Sequence, residues 1–453
     1  MRSIGAGATG GAGWVVAMFA AFAFTYFFSA LLRAVTATLA PVFSTELGLG
    51  AADLGLLAGA YFLGFAAMQL PLGRALDRHG PRRTLLALLA LAVLGCAAFA
   101  LADGLGGLIA ARVLIGVGVS ACLMAPLTCY RRHLSPAAQL RSNSWMLMTG
   151  SLGMVASTLP VQWLLPTLGW RGLFWALAVA LVLAMVAVAL GVPRDAPSPG
   201  TGGDAADGAA RQAAGGADAA SGPAAPQAGY RTIVRHPIFV RMAPLGFFVY
   251  GGLVAVQALW AGPWLTRVGG ATAGQAAEGL FVINLAMLVT FFTWGALLPR
   301  LAARGIGAEK IMAWGLPLPL LLLAAIIVLG PAAGALHWAL WCVACTFVSV
   351  SQPAVGAAFP TALAGRALSA FNLVIFGGVF CIQWGIGLAI DALRAAGLTE
   401  PAAFRAAFAL FGVAGVLSYL WFLARPGHDA AAAADNARRA TAATAAAAPP
   451  KRS

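Results

Sequence analysis

Twelve times along this chain the sequence runs for about twenty residues with few or no charges. A helix rising 1.5 Å per residue needs roughly that length to cross a hydrocarbon core of ~30 Å. In such a core every backbone N–H and C=O must be satisfied inside its own segment, which a helix achieves and an open strand does not. The runs lie near 14–40, 52–72, 84–103, 106–130, 143–166 and 172–191, and again near 241–267, 275–298, 310–330, 335–357, 369–392 and 401–424. Composition agrees: with 61% hydrophobic and 9% charged residues, the chain lacks the polar surface that a water-soluble protein of this size needs. The sequence predicts an all-α membrane protein of twelve transmembrane helices, solvated by the lipid bilayer. The first run, Trp14 to Pro41, is too long for a cleavable signal and reads as the first helix.

Pro193 to Gly229, between the sixth and seventh runs, is rich in Ala, Gly, Pro and Asp. It has too little apolar surface to offset the entropy of ordering it. The expected organisation is an N-terminal six-helix bundle over 1–192, a largely disordered cytoplasmic linker over 193–240, a C-terminal bundle over 241–424 and a disordered cytoplasmic tail over 425–453.

The net charge of +14 is not gathered into a basic patch with interleaved aromatics, so a nucleic-acid partner is not expected. The basic residues alternate between sides instead. Loops 2-3, 4-5, 8-9 and 10-11 carry Arg74, Arg78, Arg82, Arg83, Arg131, Arg132, Arg141, Arg300, Arg304, Lys310 and Arg366, whereas the opposite loops carry Arg171, Arg267 and Arg394, with Arg405 nearby. Basic residues are retained on the cytoplasmic side. Both termini are therefore expected in the cytoplasm, in a multi-pass protein of the plasma (inner) membrane.

Enzymatic chemistry finds no constellation. The histidines (His79, His133, His236, His337, His428) fall in loops, tails or at a helix end, so neither a nucleophile with its base nor a zinc set assembles at depth. The six cysteines, including the Cys342/Cys345 pair, lie in apolar runs and read as small buried side chains. No phosphate-binding GxxxxGK[ST] loop is present. No enzyme activity, metal or cofactor is expected.

The segment Gly73 to Arg83 reads GRALDRHGPRR. Gly73 and Gly80 permit a tight turn, and Asp77 can face the positive end of a helix. The spacing resembles the loop 2-3 signature of the major facilitator superfamily. That resemblance implies two pseudo-symmetric six-helix bundles, a small-molecule substrate bound between them near the midplane, and alternating access by rocking. It also implies that Gly73, Asp77, Arg78, Gly80, Arg82 and Arg83 form a cytoplasmic gate against helix eleven. A bare topological role for the basic loop is the alternative. A degenerate copy, GALLPRLAARG from Gly295 to Gly305, has Pro299 where the acid would stand. RVLIGVGVS from Arg112 to Ser120 resembles the superfamily's helix-four motif, with Arg112 either a structural bridge or a participant in proton coupling. GWRGLF from Gly169 to Phe174 is a third, structural match. Helix five lacks the Gly-Pro pattern of drug/proton antiporters, which weighs against multidrug efflux.

Tyr26, Ser29, Arg33 and Thr36 are spaced by three, four and three and share one face of helix one. Arg33, eight residues before Pro41, resembles the first-helix arginine of organophosphate and organic-anion members. A planar guanidinium suits carboxylate or phosphate; snorkelling, or pairing with Glu46 or Asp53, is the structural alternative. Tyr250, Gln257, Trp260 and Trp264 on helix seven, Asn284 on helix eight, Ser349 and Gln352 on helix ten, and Asn372 and Gln383 on helix eleven are further substrate candidates. Interhelical bonding and interfacial tryptophan explain the same residues without a ligand.

Glu46, Asp53, Asp103, Glu278, Asp391 and Glu400 all fall at or near outer helix ends. Asp53, Glu278 and Asp391 are the candidate proton carriers beside Arg112, with anion exchange or uniport as alternatives. The expected function is secondary active transport of a small organic solute, leaning to an organic anion, by a monomer working with a coupling proton or counter-substrate. A proton-driven drug or metabolite efflux antiporter and a non-transporting receptor are the rivals.

Overall fold

A computed structural model describes residues 10–193 and 230–425, and every regular element among them is helical. Twelve passes result. In the first half they are α1 (Gly10–Glu46), α2 (51–79), α3 (81–101), α4 (Leu105–His133), α5 (136–168) and α6 (170–191). In the second they are α7 (Pro237–Val268), α8 (Ala273–Ala303), α9 (Ala308–Ala332), α10 (Ala335–Ala357), α11 (Thr361–Ala395) and α12 (Glu400–Ala424).

The charged segment after the second apolar run is not a loop. Helix α2 continues through Gly73 and Asp77 to His79, and the chain breaks at Gly80 alone, where φ is 78°. Only glycine takes that conformation without strain, and Pro81 then opens α3 at a position where its missing N–H costs nothing. The chain doubles back there: Thr84 Oγ1 donates to the carbonyl of Ala75 at 3.0 Å, whereas nine residues of unbroken helix would separate them by roughly 13 Å. The degenerate second copy turns later, at Gly305 (φ 72°).

Helix α5 starts at Pro136, earlier than the hydropathy indicates, and reaches 168 across a local break at Ser157–Thr158. Its reversal into α6 is at Gly169, with φ 60°. Tyr26 and Phe27 of α1 meet Gly150 and Gly153, and Thr38 meets Ser157, so α5 runs parallel to α1. Trp170 meets Glu46 and Gly191 meets Ala17, so α6 runs antiparallel to it.

The expected linker 193–240 needs correction at its C-terminal end. Residues Tyr230–Arg235 form a helix and α7 starts at Pro237. Arg241 explains why the chain is held there: its guanidinium donates to the Phe422 carbonyl at 3.0 Å and pairs with Glu309 at 2.8 Å, tying α7 to α12 and α9. The rest of the linker and the tail beyond Arg425 lie outside the described residues.

Close backbone approach sets the packing inside the first half. A Cβ on Gly116 would stand 2.0 Å from the Tyr61 carbonyl, and one on Gly64 would stand 2.2 Å from that of Val113, so α2 and α4 touch main chain to main chain. Without a water-driven hydrophobic force between helices, such contact gives the dispersion that joins membrane segments.

The two halves meet in a second seam of the same kind. A Cβ on Gly55 would lie 2.3 Å from the Gln383 carbonyl, and one on Gly387 would lie 2.3 Å from that of Ala51. Phe376 stacks on Phe62 with centroids 6.3 Å apart and lies tilted against Phe65 at 4.6 Å. On α1 and α7, Ala37 abuts Gly262. The glycine contacts lie toward the end bearing the carboxylates, and the phenylalanine contacts lie near mid-helix. At the basic end Gly73 and Asp77 of α2 and Gly365 and Arg366 of α11 are exposed. The halves thus touch main chain to main chain at the acidic end, while these residues of α2 and α11 at the basic end stay exposed.

Candidate functional site

The polar face of α1 points toward the junction of the halves. Arg33 is half-buried, with its guanidinium 5.8 Å from the Phe65 ring centroid and facing the hydroxyls of Tyr61 and Tyr26. Tyr250 of α7 lies within electrostatic reach of both Arg33 and Tyr26, so the cluster draws on both halves. The Nε of Arg33 is buried without a hydrogen-bond partner among the described residues. The pairing of Arg33 with Glu46 or Asp53 is not seen among the described residues. Glu46 accepts from Trp170 Nε1 at 2.7 Å and Asp53 accepts from the Gly50 N–H at 3.1 Å, and no ion pair among the described residues includes Arg33. A guanidinium framed by three phenols and phenylalanine, with donor capacity left over, has the chemistry that suits a carboxylate or phosphate.

Tyr61 was not legible as a site residue, being one phenol inside an otherwise apolar run. It is fully buried and donates to the Ser29 carbonyl at 3.3 Å. Its ring also lies 5.5 Å from the guanidinium of Arg112, so it separates the two intramembrane arginines. The usable signal was that a buried tyrosine hydroxyl requires a partner.

Arg112 is 1% exposed, and no ion pair among the described residues includes it. It donates to the Leu32 carbonyl at 2.9 Å and to the Thr36 hydroxyl, binding α4 to α1 one turn from Arg33. Thr36, on the polar face of α1, is committed to this contact.

The candidates of the second half are mostly bonded to one another. Gln257 Nε2 donates to Asn284 Oδ1 at 3.0 Å, and Asn284 in turn donates to the Leu280 carbonyl. Trp260 donates to the Gln383 carbonyl at 3.1 Å, and Gln383 returns a bond to that of Ala255. Trp264 donates to the carbonyl of Ala333. All five side chains are 5% exposed or less: they hold α7 against its neighbours, because a buried amide or indole is stable only with such a partner. Gln352 donates to Asn372 between α10 and α11, and both it and Ser349 are half-buried. A small pocket in the second half, lined by Phe248, Leu323, Trp341 and Phe411 among others, is apolar and contains none of the candidates.

Of the gating residues, Gly73, Asp77, Arg78 and Arg83 are exposed and Gly80 forms the turn. Arg82 donates to the Ala189 carbonyl at the end of α6, at 2.6 Å. Of the proposed proton carriers, Glu278 is exposed, Asp53 caps its own helix, and Asp391 accepts from the N–H groups of Ala51 and Ala52 at 3.3 and 2.8 Å.

Comparison with known proteins places these features in context. A family model described as Major Facilitator Superfamily matches residues 22–382. An uncharacterised MFS-type transporter of Mycobacterium tuberculosis (strain ATCC 25618 / H37Rv), Rv1250, is 30% identical over 176 residues, which cover 37% of this chain and 29% of that protein. Among solved structures, a bacterial homologue of the human lysosomal transporter Spinster, inward-facing and unoccupied, superposes with a TM-score of 0.67 at 17% identity, covering 92% of this chain and 97% of that one. A D-xylose-proton symporter gives a TM-score of 0.69 at 16% identity, covering 91% and 98%. At those identities the likeness concerns the fold.

Proposed function

The chain belongs to the Major Facilitator Superfamily, and from that premise we propose that this multi-pass membrane transporter carries a small organic anion by alternating access. The observation that carries the anion reading is Arg33, a cation between the two halves with phenols around it and, among the described residues, no ion-pair partner. Both termini are assigned to the cytoplasm of an inner-membrane protein by the side on which arginine collects. On that assignment the structure is closed to the outside. A single chain holds both halves of the site, so a monomer suffices.

Asp77 is assigned to the cytoplasmic gate. Its exposure fits a state in which that gate is released. Asp77→Asn is expected to cut transport about tenfold at matched expression; an unchanged rate returns the basic segment to a purely topological role.

Arg112 is assigned a functional as well as a packing role, since an intramembrane guanidinium without a counter-ion is costly. Methionine of similar length removes the desolvation cost of the buried charge, and Thr36 can return its hydroxyl to the Leu32 carbonyl. Arg112→Met should therefore leave the melting temperature within a few degrees while lowering transport roughly tenfold. Full transport by a folded variant makes the residue a strut.

The substrate class is tested by a thermal-shift screen of small carboxylates, phosphates and neutral metabolites on purified protein. A ligand at 100 times its Kd adds ~2.7 kcal/mol to stability. Stabilisation by anions supports the reading, and stabilisation by neutral compounds alone overturns it. Proton coupling through Asp53, Glu278 or Asp391 is a second reading, favoured by two of these carboxylates meeting at the seam between halves; accumulation that ignores a protonophore favours exchange.

A further inference from the structure

Of the six carboxylates at the acidic end, four serve their own half: Glu46 binds Trp170, Asp53 caps Gly50, Asp103 pairs with Arg171 and Glu400 pairs with Arg267. Glu278 is exposed. Asp391 differs. It stands near the C-terminal end of α11, yet it accepts from the N–H groups of Ala51 and Ala52, the first two residues of α2 in the other half. These are orphan donors at the positive end of a helix, where a carboxylate is a favoured partner. The residue before them, Gly50, has no side chain to supply a cap, and a Cβ there would lie 3.2 Å from Asp391 Oδ2. The start of α2 is thus left open for a carboxylate from the opposite half.

The opposite ends of the same two helices present the complementary arrangement. Contacts of Ala51 with Gly387, Gly55 with Gln383, Gly59 with Phe380 and Phe62 with Phe376 show α2 and α11 running antiparallel, one residue down for each residue up. Carried along that register, Asp77 on the last stretch of α2 would meet Thr361, the first residue of α11. That helix begins at Pro360 without a side-chain cap, and Asp77 is exposed.

We propose that Asp391 is the latch of the acidic end, and that it alternates with Asp77: each helix of the pair carries near its C-terminal end the carboxylate that caps the other's N-terminus, and only one cap is made at a time. Exchanging one cap for another keeps the two states close in free energy, as a carrier that must populate both requires. Parting the acidic end frees the Ala51 and Ala52 N–H groups to water while Asp77 is seated at the basic end.

The inference rests on the alternating-access reading, and its test needs no substrate. Spin labels at Gly104→Cys and Ala396→Cys, on exposed loops of the two halves at the acidic end, report that mouth in the full-length Cys381→Ser protein in nanodiscs. Asp391→Ala is expected to raise the ratio of long to short distances about fivefold, the population effect of losing one helix cap. Gly50→Ala, which crowds the carboxylate without altering it, should shift the ratio the same way, and Asp77→Asn should shift it toward the short distance. Unchanged distributions in both folded Asp391→Ala and Gly50→Ala overturn the latch.

Discussion

Arg33→Ala should reduce affinity for the transported anion by roughly 100-fold or more, without unfolding the protein. The magnitude follows from the site: charge-assisted bonds to a desolvated anion are worth ~2–5 kcal/mol when one partner is truncated. Fold is expected to survive because Arg33 pairs with no carboxylate among the described residues and is only half-buried, so its removal strands no opposite charge there. Arg33→Lys keeps the charge and loses the planar fork; about tenfold of the loss should remain. Affinity is read by ligand-dependent thermal shift or radioligand binding, beside the melting temperature of the unliganded variant. Retained affinity in Arg33→Ala would return the residue to a structural role and move the anion site elsewhere.

The second large effect separates two seams of identical chemistry. Gly387 faces Ala51 across the halves, and Gly116 faces Tyr61 inside the first half. In both places an added Cβ would strike a backbone carbonyl at 2.0 to 2.3 Å, which no rotamer change relieves. Gly387→Val is therefore expected to hold the acidic end apart, lowering transport ~100-fold while expression and melting temperature stay near wild type. Gly116→Val drives apart two helices of one bundle, and a cost above ~4 kcal/mol should abolish folded protein. Normal transport by Gly387→Val would show that the acidic-end seam does not have to close tightly. Equal loss of folding in both variants would show that the halves are one cooperative unit.

These positions also show what the sequence makes legible. Twelve apolar runs translate into twelve helical passes because length and backbone satisfaction leave few options in lipid. Periodicity places Tyr26, Ser29, Arg33 and Thr36 on one face of α1, as spacing requires. It does not say that Thr36 is committed to Arg112, because that depends on where α4 crosses.

The segment 73–83 reads as a loop by charge and glycine content. Yet charged residues are at home in a helix that has left the hydrocarbon, so α2 persists until Gly80 and Pro81 stop it. In the second half, Gln257, Trp260, Asn284 and Gln383 carry chemistry equally suited to a ligand or to a neighbouring helix. Burial decides between these uses, and burial is a property of the assembled bundle. The α2–α11 seam is the least legible feature of all. Its glycines are visible at Gly55, Gly59 and Gly387, but their partners lie more than 300 residues apart in the chain.

The central claim is transport of an organic anion, and the most direct measurement is uptake of a labelled anion, chosen from the stabilising ligands, into sealed proteoliposomes. The account predicts saturable uptake that is accelerated by unlabelled anion inside the vesicle and lost in Arg33→Ala. Saturable binding of the same anion without any uptake would contradict it.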